Sequence, residues 1–372
     1  MISTTPEILD AVHDNDPFAI GVSGGKDSCA AAIATNEFLD RSGHCGPRVL
    51  IHSDLGVTEW RESLPVCQRL SKVLGLELLV VRRKQGDMMD RWEQRWRDNV
   101  RRYESLSCVK LILPWSTASM RFCTSELKTD VICRELSLRF PGRRIVSVIG
   151  IRRDESAGRA KRPVTSQQKK LTKRSRGTSG LNWHPIIEWS TQQVYEFLSD
   201  RGFSLHEAYT KYGMPRVSCV FCILATQECH RRALSALKNV GIYRRMVGLE
   251  VRSSFAFQDD KWLADIAPDL HSDVTRTQIA TAKQVAVARQ EIESHIPKHL
   301  LYTKGWPTCK PSKAEADLLA RVRIAVSDLL GLHSQCLDSR SVRARYQELM
   351  DQKRSTIVSI KRQPTNDPLR AE

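Results

Sequence analysis

The first half of the chain alternates short apolar runs with longer segments whose apolar residues recur at helical spacing. Phe18–Val22, Val49–His52, Leu76–Val81 and Ile145–Ile149 are the short runs. Their length, with Gly, Pro or polar residues at their ends, predicts buried strands. Between them, Lys26–Leu39, Trp60–Leu74, Asp87–Tyr103 and Ser125–Phe140 carry helical patterns. Pro65 fits only near the start of its helix, and Gly75 supplies a stop. Strands alternating with helices in this way predict an α/β fold: a doubly wound, mostly parallel sheet covered on both faces. Arg152–Gly177 interrupts the pattern. It is polar, rich in Lys and Arg and without period, and is expected to be a mobile loop. From Thr191 onward the chain reads as mainly helical, with helical spacing near 191–200, 230–247, 278–295, 313–332 and 341–351. The expected organisation is an α/β domain over 1–229, a helical C-terminal region over 230–357 and a flexible tail over 358–372.

Composition narrows the partners more than the fold. The 372 residues carry a formal net charge of +16. Charge of this sign fits polyanions, either nucleic acid or heavily phosphorylated small molecules, or serves solubility alone. No apolar run is long enough to span a bilayer, and the acidic, polar stretch Met1–Asp16 does not read as a secretory signal. A cytoplasmic protein without a membrane partner is expected. The 11 cysteines are odd in number and too sparse for a disulfide scaffold. In a reducing compartment, clustered cysteines read as metal ligands or catalytic thiols, and isolated ones as small core residues.

The strongest motif is Ser23-Gly24-Gly25-Lys26-Asp27-Ser28, set between the first strand and the first helix of the sheet. Such a loop aims backbone N–H groups at a phosphate on the helix N-terminus. The glycines allow close approach and backbone angles closed to other residues. Ser23 and Ser28 offer hydroxyl donors and Lys26 a positive charge. Asp27 is suited to capping the helix or to holding a magnesium ion that bridges phosphates. The spacing is neither that of the common P-loop nor that of the dinucleotide fingerprint.

The hexapeptide resembles the PP-loop of the ATP pyrophosphatases, whose signature is Ser-Gly-Gly-x-Asp-Ser. Further segments are similar to the phosphoadenosine phosphosulfate (PAPS) reductase family in order: His52-Ser53-Asp54-Leu55-Gly56 with Glu59 and Trp60, Gly150-Ile151-Arg152-Arg153-Asp154-Glu155-Ser156 with Arg159, Trp183–Trp189, and Tyr212-Gly213 followed by Cys219-Val220-Phe221-Cys222. The resemblance runs from about Phe18 to Thr226. It implies a PP-loop nucleotide-binding domain over 1–229. It also implies that Ser23–Ser28, Ser53, Asp54, Gly150, Arg152, Arg153, Ser156 and Arg159 bind ATP or a related adenosine nucleotide with Mg2+. Arginines after the fourth strand are suited to bidentate phosphate or sulfate contacts. The reductases' Glu-Cys-Gly-Leu/Ile-His tail, which carries their catalytic thiol, has no counterpart here; Leu330-Gly331-Leu332-His333 lacks the cysteine.

Cys123 opens a predicted helix, a position that lowers a thiol pKa from its usual value of about 8.5. Cys219-x-x-Cys222 is a chelating pair, and Cys229 follows closely. Some reductases of this family hold a [4Fe–4S] cluster with a tandem Cys-Cys and a Cys-x-x-Cys. Here the tandem reads Phe122-Cys123, similar to the PP-loop enzyme of DNA phosphorothioation systems. Three readings stand: a cluster or Zn2+ on Cys123, Cys219, Cys222 and Cys229; a metal-free Cys123 carrying sulfur; or inert thiols. The functional expectation is an ATP pyrophosphatase and sulfurtransferase in which Lys26, Asp27 and Cys123 are catalytic. It would adenylate an acceptor, expected to be nucleic acid, for sulfur supplied by a donor protein. A PAPS or adenylyl sulfate reductase and a non-catalytic nucleotide-binding or nucleic-acid-binding module are the alternatives.

Overall fold

The computed structural model describes residues 1–172 and 177–362, with side chains to Ser355. It divides into two compact units, one of Met1–Arg91 with Trp115–Met246, the other of Trp92–Pro114 with Val247–Glu372.

The first unit begins with α1 (Pro6–His13), β1 (Phe18–Gly21), α2 (Lys26–Arg41), β2 (Arg48–Asp54), α3 (Ser63–Leu74) and β3 (Glu77–Arg82). Helix α4 (Met88–Glu104) follows and from Trp92 onward belongs to the second unit. After it come a single turn, α5 (Phe122–Thr124), a π-helical turn at Ser125–Thr129 and α6 (Asp130–Arg139). Then come β4 (Arg144–Ile149), α7 (Ala157–Ala160), β5 (Thr165–Gln167), β6 (Ser179–Trp183), α8 (Thr191–Asp200), α9 (Glu207–Thr210), α10 (Gln227–Leu234) and the start of α11 (Val240–Ser253).

The sheet order is β3-β2-β1-β4-β6-β5. All neighbours are parallel except β5, which runs antiparallel to β6. Side chains on a strand alternate between faces, and that alternation sorts the core into two layers. Phe18, Ile20, Leu50, Val146 and Val148 pack with Ile8 of α1, Ala30 of α2, Val66 and Leu70 of α3, and Val194 and Leu198 of α8. Ala19, Val49, Ile51 and Ile145 face the other way, onto Val131 and Leu136 of α6. The doubly wound sheet expected from the sequence is present. The order reverses between β1 and β4, so the carboxyl ends of these two strands open a crevice.

Three expectations change. Arg152–Gly177 is not a featureless loop: α7 and the edge strand β5 lie within it, with Thr165 paired to Trp183. The Thr165-Ser166-Gln167 run carries no apolar alternation, and none of its three residues is buried. Lys173, Arg174 and Arg176 lie outside the described residues. The helix expected over 230–247 is two helices, α10 and α11, broken near Ser235. The tail expected over 358–372 begins as helix up to Arg362, and its remainder lies outside the described residues.

The second unit is helical, with α12 (Asp273–Ser294), α13 (Lys313–Leu330) and α14 (Ser339–Arg362) packed in succession. Two buried charges organise it. Arg323 donates to the carbonyls of Tyr103, Glu104, Gln335 and Cys336 at 2.6–3.3 Å. Glu250 accepts the N–H groups of Phe257 and Leu263 at 2.8 Å and of Ala264 at 3.0 Å, which fixes the turn after α11. Burial pushes its carboxyl up to about 7.

Candidate functional site

The loop Ser23–Ser28 leaves β1 and enters α2 with Gly25 at the N-cap. Gly24 has φ +74°, and a Cβ there would stand 2.9 Å from the Ser63 carbonyl oxygen. Both facts require glycine. Gly25 has an ordinary φ of −77°; its lack of a side chain keeps the cleft open rather than relieving backbone strain. Within the loop, Ser28 Oγ accepts the Ser23 N–H at 3.2 Å and donates to the Gly25 carbonyl at 2.8 Å. His206 packs on Gly24; its Nδ1 accepts the Ala208 N–H at 2.9 Å, leaving the proton on Nε2 against Ser63 Oγ at 3.4 Å. Burial pushes His206 down to about 4, so it is neutral. Across the crevice the end of β4 comes very close. A Cβ on Gly150 would lie 2.5 Å from the Asp27 carbonyl oxygen.

Lys26 and Asp27 do not stand where the motif alone would put them. Lys26 is 4% exposed. Its Nζ lies 3.2 Å from Asp27 Oδ2 and 5.7 and 5.3 Å from the ring centroids of Tyr195 and Tyr209. The other Asp27 oxygen takes Arg152 Nε at 2.6 Å. Arg152, 2% exposed, also bonds Asp154 and the Trp189 carbonyl. Lys26, Asp27, Arg152 and Asp154 thus form one charge-balanced network under the loop. Both Asp27 oxygens face cations, so the arrangement does not leave it free for Mg2+.

Two clefts meet at the loop. One, of about 390 Å³, is lined by Ser23, Gly25, Asp27, Ser28, Gly150, Ser156 and Arg159, and on its other wall by Cys123, Cys219 and Cys222. The second, of about 630 Å³, shares Ser23, Ser28, Gly150, Ser156 and Arg159 and runs past Ser53, His52 and Glu59 to His184. This pairing of clefts brings together most of the sequence-predicted nucleotide residues. Five line neither cleft, Gly24 and Lys26 of the loop among them. Arg152 lies beneath the loop. Arg153 turns to Glu188 at 2.7 Å and to the Ala160 carbonyl. Asp54 accepts the Gly56 N–H at 2.7 Å and pairs with Arg82. Burial opposes the Asp54 charge, but Arg82 and the Gly56 N–H outweigh it and hold the carboxyl below its usual range. Trp183 is fully buried against Phe18, and His184 is bonded to the Pro163 carbonyl.

Sequence reasoning missed four cleft residues: Arg121, Lys128, Tyr209 and Arg216. The three cations set the sign of the cleft. Arg121 and Lys128 flank Cys123 and Arg216 precedes Cys219 in sequence, which was the available signal. The π-helical turn at Ser125–Thr129, a feature common at functional sites, carries Lys128. Behind the second cleft, His52 sits between the Val22 carbonyl at 3.0 Å, Cys67 at 3.8 Å and Glu59 at 3.3 Å. Burial opposes its charge, yet the Cys67 sulfur and the Glu59 carboxylate outweigh burial and push it up to about 10.

The cysteines divide. Cys123, Cys219 and Cys222 share a cleft, whereas Cys229 sits on α10 outside its lining. Burial pushes the Cys219 thiol up to about 12, with Lys128 only partly opposing the effect. Among the described residues, no group of three or more His, Cys, Asp or Glu side chains is arranged to hold a metal ion. As placed, the four cysteines do not fit a [4Fe–4S] or Zn2+ site. Cys29 is 1% exposed in the core. Among the described residues, no helix is long and apolar enough to cross a membrane.

The chain is similar to two solved structures. One is the phosphoadenylyl-sulfate (PAPS) reductase from Candida auris in its phosphate complex, at 12% identity over 59% of this chain and 97% of that one, TM-score 0.35. The other is the U34-tRNA thiolase NcsA from Methanococcus maripaludis with its [4Fe-4S] cluster, at 14% identity over 66% of this chain and 79% of that one, TM-score 0.30. No curated protein matches the chain. The sequence profile of the phosphoadenosine phosphosulfate reductase domain matches residues 17–225, more than half of the chain. The chain belongs to the phosphoadenosine phosphosulfate reductase domain family.

Proposed function

We propose that the protein is a PP-loop enzyme that binds ATP or a related adenosine nucleotide at Ser23–Ser28 and couples it to sulfur transfer in the adjoining thiol-lined cleft. One observation carries this reading: the phosphate loop and the thiols of Cys123, Cys219 and Cys222 line the same cleft. Arg121, Lys128, Arg159 and Arg216 supply the positive charge that a pyrophosphate leaving group needs. An acceptor oxygen attacks the α-phosphorus; the new P–O bond replaces the α–β bridge, and pyrophosphate departs. The terminal sulfur of a Cys123 persulfide then displaces AMP, leaving an acceptor–S–S–Cys123 disulfide; a second thiol attacks the Cys123 sulfur, the transferred sulfur leaves on the acceptor as a thiolate, and an external thiol reductant reduces the protein disulfide that remains. Cys123, on the wall facing the loop, is the proposed sulfur carrier. The net charge of +16 favours a nucleic-acid acceptor. A strand neutralising five such charges would bind with a log–log salt slope of about −3.5.

A sulfonucleotide reductase is the second reading, favoured by the family match over residues 17–225. The discriminating experiment incubates the reduced protein with ATP and single-stranded nucleic acid, or with PAPS and a thiol donor. Pyrophosphate release that depends on acceptor supports the first reading. Sulfite release from PAPS without pyrophosphate refutes it in favour of the second.

A further inference from the structure

We propose that Tyr209 is a positioning residue that holds the Cys219-x-x-Cys222 segment in register with the phosphate loop. Its hydroxyl oxygen accepts two backbone N–H groups: that of Lys26, in the first turn of α2, at 3.1 Å, and that of Val217, two residues before Cys219, at 3.3 Å. The two donors lie 191 residues apart in sequence, and the phenol joins them. Tyr209 also lines the cleft that contains both the loop and the thiols. The ring is held from its other side by the Lys26 ammonium, 5.3 Å from its centroid. Burial pushes the phenol up, so it stays neutral and its own O–H remains a donor after the oxygen has accepted two bonds.

The geometry makes the contact specific to the cysteine segment. That segment has a second tie, the Val220 N–H to the Thr58 carbonyl at 2.9 Å, and Cys219 lies between the two. Removing the Tyr209 hydroxyl frees one side of Cys219 and leaves the other anchored. The α2 N-terminus keeps its remaining contacts within the loop. The inference rests on the functional reading above for the role of the thiols, but the contact stands independently of it.

The test is site-resolved alkylation of the full chain by N-ethylmaleimide, quantified by mass spectrometry, with no nucleotide present. In Tyr209→Phe, Cys219 and Cys222 react at least about fivefold faster than in the wild type, as expected for loss of a hydrogen bond that restrains a local opening. Exposed Cys45 keeps its rate, and buried Cys29 and Cys67 stay protected. Tyr195→Phe, which removes a hydroxyl from the other ring beside Lys26, leaves Cys219 and Cys222 at the wild-type rate. Unchanged rates at Cys219 and Cys222 in Tyr209→Phe overturn the proposal. So does an equal rise in Tyr195→Phe, or a rise that extends to Cys29 and Cys67, since either assigns the effect to general loosening. A parallel ATP titration of the wild type keeps the two questions apart: absence of binding there sinks the functional reading, while the alkylation pattern still judges Tyr209.

Discussion

Replacing Arg152 by Met tests the charge network beneath the phosphate loop. The guanidinium is 2% exposed and makes three contacts, to Asp27, Asp154 and the Trp189 carbonyl. Met preserves much of the side-chain volume but none of the donors. Asp154, 43% exposed, rehydrates at little cost. The Trp189 carbonyl loses a donor, at about 1 kcal/mol. Asp27 dominates: its carboxylate is 14% exposed and keeps only Lys26, at 3.2 Å, as a counter-charge. Breaking a buried ion pair by removing one partner costs about 3–5 kcal/mol, and the surviving Lys26 contact places this case near 3. Urea unfolding followed by circular dichroism measures it. Adding Asp27→Asn to the Met variant removes the orphaned charge, so the double variant recovers at least about 1.5 kcal/mol relative to simple additivity. A loss below about 1 kcal/mol in the single variant, or full additivity in the double, would refute the view that Asp27 and Arg152 act as one unit.

Raising the pH discharges His52. Because its folded-state value is raised from 6.5 to about 10, its stabilisation is complete below pH 6.5, falls by about 1.4 kcal/mol per pH unit above that, and is gone above pH 10. Urea midpoints between pH 6 and 10 should therefore fall more steeply for the wild type than for His52→Gln; parallel slopes would contradict the charged assignment. For nucleotide affinity, Arg159→Ala and Arg216→Ala should each cost about 1.5 kcal/mol by calorimetry, as charged donors lining the cleft. Lys26→Met should instead lower the urea midpoint, with a smaller change in ATP affinity. An affinity loss in Lys26→Met exceeding that of both arginine variants would show that its ammonium reaches the phosphates directly.

The sheet and the loop were legible because their signals are local. Apolar runs such as Val49–His52 and the Gly24 position each carry their reason within a few residues, and the strand-to-helix setting of Ser23–Ser28 follows from them. The site was less legible where a side chain's role depends on what arrives from elsewhere in the chain. Lys26 looked like a phosphate ligand because its partners, Tyr195 and Tyr209, lie about 170 residues or more away in sequence. Arg152 looked like another because its contact with Asp27 spans 125 residues. The Arg216 and Lys128 charges escaped notice for the converse reason: their only local cue is nearness in sequence to Cys219 and Cys123, and only the fold turns both toward one cleft. Cys229 followed Cys222 closely enough to suggest a shared ligand set, yet α10 starts at Gln227 and carries it out of the cleft lining.

The crevice between β1 and β4 has a consequence for how the protein matures. β1 can pair with β2 early, since Phe18 meets Arg48, but its other neighbour places Val146 opposite Phe18, with most of the nucleotide domain in between. Closing a loop of that length is entropically slow. Gly150 reaches Asp27 only once it has closed. During synthesis the glycine loop therefore emerges long before it can grip a phosphate. Nucleotide stabilises the finished domain by mass action, but it cannot serve as a template for the early chain. A ribosome-bound fragment ending before β4 should be blind to ATP, and one extending beyond α8 is the earliest point at which ligand begins to shield it from proteolysis.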